Sequence, residues 1–118
     1  MNNKEVGNLG EEIATEYIKK KKYVIIQRNF RCRYGEVDIV AKDNNEYVFI
    51  EVKTRTSKKF GQPAEAVNQL KKKHIYNVTR YFLHRYKIEN SLVRFDVIEV
   101  FLSKDRYRVN HIKQVEIE

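Results

Sequence analysis

Two short apolar segments separated by a turn-forming run constrain this chain more than anything else in it. Residues 37–41 read Val-Asp-Ile-Val-Ala and residues 47–53 read Tyr-Val-Phe-Ile-Glu-Val-Lys, with Asp43-Asn44-Asn45-Glu46 between them. Segments rich in β-branched and aromatic residues, bounded by Asn and Asp, predict the two arms of one hairpin. A two-residue loop at Asn44-Asn45 pairs Asp43 with Glu46, Val40 with Phe49 and Asp38 with Glu51, and a four-residue loop keeps that register. One face then carries Val37, Ile39, Ala41, Val48, Ile50 and Val52; the other carries Glu36, Asp38, Val40, Phe49, Glu51 and Lys53. A slip of one residue would mix the two sets, which a half-buried sheet resists.

That register sets two carboxylates against each other. Directly opposed residues have Cβ atoms about 4.5–5.5 Å apart, where like charges repel. The pairing makes sense if a divalent cation bridges Asp38 and Glu51, with Lys53 two residues along on the same strand face. An ordinary solvated face, with Glu36 opposite Lys53 as a cross-strand ion pair, accounts for those two residues. It leaves Asp38 against Glu51 unexplained and Val40 and Phe49 exposed.

With 118 residues, one domain is expected, large enough for a real core. Lys and Arg outnumber Asp and Glu by 24 to 16, a net charge of +8. Such an excess in a small domain suggests a polyanionic partner, nucleic acid before membrane. The single Cys32 excludes a disulfide framework and reads as a small packing residue. The N-terminus lacks the apolar core of a secretory signal, and no apolar run reaches the roughly 18 residues a membrane helix needs. A cytoplasmic protein with no membrane partner is expected.

Around the hairpin the pattern predicts an α/β domain in the order α-β-β-β-α-β-β, a central mixed sheet flanked by helices. A first helix is expected over residues 8–22, with Leu9, Ile13, Ala14, Tyr17 and Ile18 at helical spacing and Asn8 as its cap. Gly7 and Gly10 fall on the same side as that stripe, where backbone can approach a sheet closely. Glu11 lies at the stripe's margin, whereas Glu12 points away. Glu11 either reaches the edge of a buried site or completes a capping box with Asn8. A strand over residues 23–32, centred on Val24, Ile25 and Ile26, leads through Arg33-Tyr34-Gly35 into the hairpin. Residues 54–63 form the longest irregular stretch, polar and basic, and Pro63 signals a second helix over residues 64–85. Its buried stripe takes in Val67, Leu70, Ile75, Val78, Tyr81 and Phe82. Lys71 and His74 project into that stripe, the lysine either snorkelling or entering a polar pocket, the histidine most simply a hydrogen-bonded core residue. Strands over Leu92–Leu102 and residues 106–112 close the domain.

One cysteine and three scattered histidines give no zinc cluster, and neither a nucleophile triad nor a phosphate-cradling glycine loop is present. What remains is an oxygen-ligand site beside a lysine in a basic domain, chemistry that suits Mg²⁺ with water and substrate phosphate. Asp38, then Glu51-Val52-Lys53, with Glu11 on a preceding helix, resembles the PD-(D/E)XK nucleases, especially their Holliday-junction-resolvase branch. A wider set of residues is similar to the YraN-type family of uncharacterised bacterial proteins. It comprises Gly7-x-x-Gly10-Glu11-x-x-Ala14, Asn29-Phe30-Arg31-Cys32-Arg33-x-Gly35-Glu36-Val37-Asp38, Phe49-Ile50-Glu51-Val52-Lys53-Thr54-Arg55, Phe60-Gly61 and Arg94-Phe95-Asp96. The chain has Val37 where proline gives the nuclease superfamily its name.

The resemblance implies a restriction-endonuclease-like fold and nuclease activity. It implies Asp38 and Glu51 as metal ligands with the Val52 carbonyl, Lys53 as catalytic, Glu11 as an additional metal or water ligand, and Gln69 or Lys71 facing the site. The reading that follows is a Mg²⁺- or Mn²⁺-dependent endonuclease acting on DNA, including branched or structured DNA. Residues 19–22, Arg28, Arg31, Arg33, Arg55, Lys58, Lys59, Lys71, Lys72 and Lys73 are the expected phosphate contacts, with Tyr34 and Phe60 available for stacking. A homodimer is expected only if a symmetric four-way junction is the substrate. The rivals are a non-catalytic nucleic-acid-binding module, indifferent to Mg²⁺, and a scaffold in a DNA-processing complex.

Overall fold

A computed structural model of the chain describes residues 1–56 and 69–116, with side chains from residue 74 onward in the second segment. The elements are α1 (Asn3–Lys20), β1 (Val24–Cys32), β2 (Gly35–Asp43), β3 (Glu46–Thr56), α2 (Gln69–Arg85), β4 (Leu92–Leu102) and β5 (Tyr107–Ile112). The five strands form one mixed sheet in the order β1-β2-β3-β4-β5. β3 and β4 run parallel and the other pairs are antiparallel. α2 lies in the crossover between the two parallel strands, as such a connection requires. The expected order and the mixed α/β sheet are both present.

The hairpin register is the expected one along its paired length: Asp43 pairs with Glu46, Val40 with Phe49 and Ile39 with Ile50. Asn44 adopts a φ of 56°, a left-handed conformation that Asn tolerates better than most residues, and this makes the tight loop feasible. Alternation along the strands splits the apolar residues into two clusters, one on each side of the sheet. Ile39, Ala41, Val48, Ile50, Ile98 and Val100 pack with Ala14 and Ile18 of α1. Val40 and Phe49 pack with Phe82, Val78 and Ile75 of α2. These two side chains are therefore core, not an exposed face.

Several expectations shift. α1 begins at Asn3, and its cap is Asn2, whose side chain accepts from the Glu5 backbone N–H while Glu5 accepts from that of Asn2. The capping box thus lies six residues earlier than Asn8, and Glu11 is an interior helical residue with no capping role. The helix ends in the usual reversal, Lys22 at a φ of 72° and the Tyr23 N–H bonded to the Ile18 carbonyl. Val24 and Ile26, expected as the apolar centre of their strand, are 60% and 44% exposed because β1 is a sheet edge with a bulge between Ile25 and Gln27. Thr54, Arg55 and Thr56 continue β3 instead of opening a loop. Lys58, Lys59, Phe60, Pro63 and the expected helical start at residues 64–68 lie outside the described residues. So do the side chains of Gln69, Lys71, Lys72 and Lys73.

Charges inside the otherwise apolar β4 are matched by partners. Asp96 is fully buried and accepts from Arg94 through both carboxylate oxygens, at 2.9 and 3.0 Å, and from the Gln114 backbone N–H. His111 of β5 lies 2.7 Å from Asp96, and its other ring nitrogen 3.2 Å from the Tyr17 hydroxyl of α1. Arg94 also donates to Asp43, Glu46 and Tyr23. These donors hold the Asp96 carboxyl below its ordinary range despite burial, through His111 and Arg94 first. Removing one member leaves the others buried and uncompensated, so Asp96→Ala is expected to cost about 3 kcal/mol. Denaturant unfolding of the two proteins at neutral pH checks this; a loss under about 1 kcal/mol would show the cluster to be dispensable.

Candidate functional site

The site forms where β2 and β3 part. The β2–β3 ladder ends at Ile39↔Ile50, one pair short of the expected Asp38–Glu51 opposition. The β1–β2 ladder also passes over Asp38: Arg28 pairs with Ile39 and Phe30 with Val37, with no Asn29–Asp38 pair between. Asn29 has a φ of 55°, which an extended ladder cannot accommodate. Strand alternation breaks at the same place. Val37, expected on the face of Ile39, packs instead with Val40, Phe49 and Phe30 on the α2 side.

Asp38 uses this break. Its Oδ2 accepts a hydrogen bond from the Val52 backbone N–H at 2.8 Å, so the carboxylate takes the place of the next backbone carbonyl of the ladder. The acid wedges the two strands into a fork. Cavities open on both sides of it and share Asp38 and Glu51. One, of about 400 Å³, is lined also by Gly7, Glu11, Val52, Lys53, Thr54 and Thr56. The other, of about 260 Å³, is lined also by Gly35, Glu36, Val37, His74 and Ile75.

The helix is set over the first cavity by glycine. A Cβ on Gly10 would run into the Thr54 side chain, whose Cβ would lie at only 2.9 Å, so only glycine lets α1 lie this close to β3. That proximity brings Glu11, the next residue, to the fork. Gly7 differs from expectation: among the described residues, no atom outside its own helix turn lies within 4 Å of an added Cβ, and Gly7 lines the cavity. Gly35 is needed for a different reason, its φ of 137°; an added Cβ would meet Val78 at 3.5 Å and the His74 Cβ at 3.9 Å, ordinary contact distances.

Electrostatics single out Asp38. Burial pushes its carboxyl up to about 6, and the negative charges of Glu11, Glu51 and Glu36 add to the rise against the lowering effect of the Val52 hydrogen bond. Glu11 is raised as well, by burial first, opposed by Arg28 and by a hydrogen bond from the Asn29 side chain. Lys53 Nζ lies 3.8 Å from Glu51 Oε1, the two side chains 22% and 16% exposed. Acids crowded until they resist ionising form a donor set that a hard cation would relieve. Among the described residues, however, no three such groups converge as a metal cage. Asp38 is turned to Val52, and Glu11 has Arg28 at 3.9 Å.

Asp38, Glu51, Val52, Lys53 and Glu11, the five site residues expected from sequence, thus line one cavity. The basic residues are more scattered. Arg31 is paired with Glu36 at 2.8 Å. Arg33 donates to the Tyr34 hydroxyl and lies over its ring. Arg28 donates to Glu12 at 2.7 Å and stands 3.9 Å from Glu11. Arg55, at 12% exposure, lies 3.6 Å from the buried Glu99, so it serves the fold more than an open phosphate-binding surface. His74 is exposed at the mouth of the second cavity, not a core histidine. Sequence reading named Asn29 only within the family motif and passed over Glu99. The signal for each was a polar residue inside a strand.

Asp38 offers a direct test of this strain. Its proton is bound more tightly in the folded chain than in the unfolded one, so folding stability falls as pH rises from about 4 through about 6. Asp38→Asn keeps the acceptor for Val52 and removes the charge. At pH 7 it is expected to be more stable than wild type by about 1–2 kcal/mol, the advantage vanishing below pH 4. Urea unfolding across that range measures it, and equal or lower stability at pH 7 would contradict the assignment.

Comparison with known proteins gives the family. The profile of the Uncharacterised protein family UPF0102 matches residues 10–100. A UPF0102 protein of Caldicellulosiruptor saccharolyticus is 53% identical over 103 residues, 87% of each chain. UPF0102 proteins of Clostridium botulinum strain 657 and Clostridioides difficile strain 630 are 47% and 45% identical. They cover 94% and 95% of this chain and 93% and 96% of their own. A solved structure titled "Crystal structure of SSO0001" aligns with 92% of this chain and 50% of that one, at 17% identity and a TM-score of 0.32, too loosely to bear on function. This chain is a member of the uncharacterised protein family UPF0102.

Proposed function

We propose that the chain is a divalent-metal-dependent nuclease acting on DNA, with its active centre at the fork between β2 and β3. The observation that carries the reading is that Asp38 and Glu51 are shared by two open cavities, with Glu11 and Lys53 lining the same one. Asp38 and Glu51 would hold Mg²⁺ or Mn²⁺, with the Val52 carbonyl and Glu11 completing the oxygen set. The ion would supply Lewis acidity toward the phosphate and acidify a water molecule.

The chain's own residues do the rest. Lys53 stands within 4 Å of Glu51 and projects a positive charge into the cavity, where it orients the attacking water or offsets charge developing on the phosphate. Openness on both sides of the fork lets a strand pass across the acids, not enter a closed pocket. The net charge of +8 supplies long-range attraction to a polyanion. A binding-only module is the second reading, favoured by the fact that Asp38 already has a protein donor and Glu11 an ion-pair partner. It requires affinity for DNA that is insensitive to Mg²⁺.

Cleavage of plasmid, single-stranded, flapped and four-way-junction DNA in Mg²⁺ or Mn²⁺ tests the reading. Lys53→Ala is expected to slow cleavage by about 100–1,000-fold, the size of losing one electrostatic contact to a transition state. Asp38→Ala and Glu51→Ala should reduce it to background while DNA binding persists. Undiminished cleavage by purified Glu51→Ala would place any nuclease activity elsewhere.

A further inference from the structure

The tight turn between β1 and β2 holds a cation beside the second cavity of the fork. Cys32 pairs with Gly35, so Arg33 and Tyr34 are the two loop residues of that hairpin. Gly35, the next residue, lines the cavity that also takes in Asp38 and Glu51. The Arg33 guanidinium lies over the Tyr34 ring, 4.8 Å from its centroid, and donates to the Tyr34 hydroxyl at 2.7 Å. The ring is fixed in turn, half-buried against the core and edge-on to Tyr81 of α2 with 6.1 Å between centroids. The other two arginines of this hairpin's first strand differ. Arg28 donates to Glu12 at 2.7 Å and Arg31 pairs with Glu36 at 2.8 Å. Arg33 is exposed and has no acidic partner among the described residues.

We propose that Arg33 and Tyr34 form a stacking clamp for an unpaired nucleobase, and that the DNA reaching the fork carries a single-stranded segment beside the scissile bond. A guanidinium held over an aromatic ring is a flat cation. A base offers it a π-face, and the adjoining phosphate offers it a charge. In an intact duplex the faces of each base are covered by its neighbours, so only an unstacked base reaches the clamp. The hydroxyl of Tyr34 and the two-residue loop set the guanidinium before DNA arrives, which lowers the ordering cost of binding. Tyr34 lies four residues from Asp38, about 13 Å along an extended chain, so one short strand spans both. Net charge attracts any polyanion; the clamp chooses among them. The inference rests on the fork as the reactive centre and adds the class of DNA that enters it.

Fluorescence anisotropy of the full chain in EDTA, with no metal and no cleavage, tests the clamp. The probes are a labelled single-stranded oligonucleotide, an abasic strand of equal length and the corresponding duplex. Wild type is expected to bind the single strand about tenfold more tightly than the abasic one, the size of one stacked base. Arg33→Lys keeps the charge and loses the planar cation. It should therefore lose that tenfold margin while its duplex affinity and salt dependence stay those of wild type. Tyr34→Phe keeps the ring that packs on Tyr81 and removes the hydroxyl that holds Arg33; about a threefold loss on the single strand is expected. Equal binding of single and abasic strands by wild type would overturn the proposal. So would full base-dependent affinity in either variant. Cleavage in Mg²⁺ is scored separately. Base-dependent binding without cleavage would end the nuclease reading and leave the clamp standing, whereas cleavage without base-dependent binding would do the reverse.

Discussion

The hydrogen bond from the Val52 N–H to the Asp38 carboxylate organises the region on which the proposed function depends. A sheet ordinarily ends its ladders at loops, where water satisfies the backbone. Here a ladder ends between two long strands, and a side chain supplies the acceptor that backbone would have supplied. The cost is a carboxylate placed among other carboxylates and partly desolvated, and its raised protonation equilibrium records that cost. The gain is space: β2 and β3 separate, and both sides of the sheet open onto the same pair of acids.

The protein contains a second, opposite solution to the same problem. Asp96 is more deeply buried than Asp38, yet it is surrounded by Arg94, His111 and the Gln114 backbone and is driven toward the ionised state. Nothing in that cluster is left wanting a ligand. It ties α1, β4, β5 and the β2–β3 turn together near one end of the paired strands, through Tyr17, Tyr23, Asp43 and Glu46. At the fork, by contrast, the negative charges add instead of cancelling. One buried acid is compensated for stability, and the other is kept under electrostatic strain. This contrast is the ground on which the fork is proposed as a site.

Much of this was legible in the residues. The alternation of Val37–Lys53 predicts the hairpin and its register, because a slip would expose the core. It also predicts the convergence of Asp38, Glu51 and Lys53, because strand register carries side chains with it. Helical projection places Glu11 toward the site but cannot separate that role from capping; the choice fell to Asn2 and Glu5, a box too polar to stand out from the N-terminus. The fork itself was hidden. A single left-handed residue opposite Asp38 leaves hydrophobic periodicity nearly intact, and flips only Val37. The exposure of Val24 and Ile26 was equally invisible, since strand composition does not say which strand lies at the edge. Buried pairs such as Arg55 with Glu99 depend on two strands distant in sequence, so a basic residue destined for the interior reads like one destined for a phosphate.

The central proposal is that the acids at the fork, half-buried and without full compensation of their charge, take a hard cation. Diffraction at the manganese edge from crystals soaked in Mn²⁺ tests this most directly. The account requires an anomalous peak at the fork, about 2.2 Å from carboxylate oxygens of both Asp38 and Glu51, with Asp38 still or newly turned from Val52 toward the ion. Well-occupied Mn²⁺ elsewhere on the molecule with none between these two side chains would contradict it.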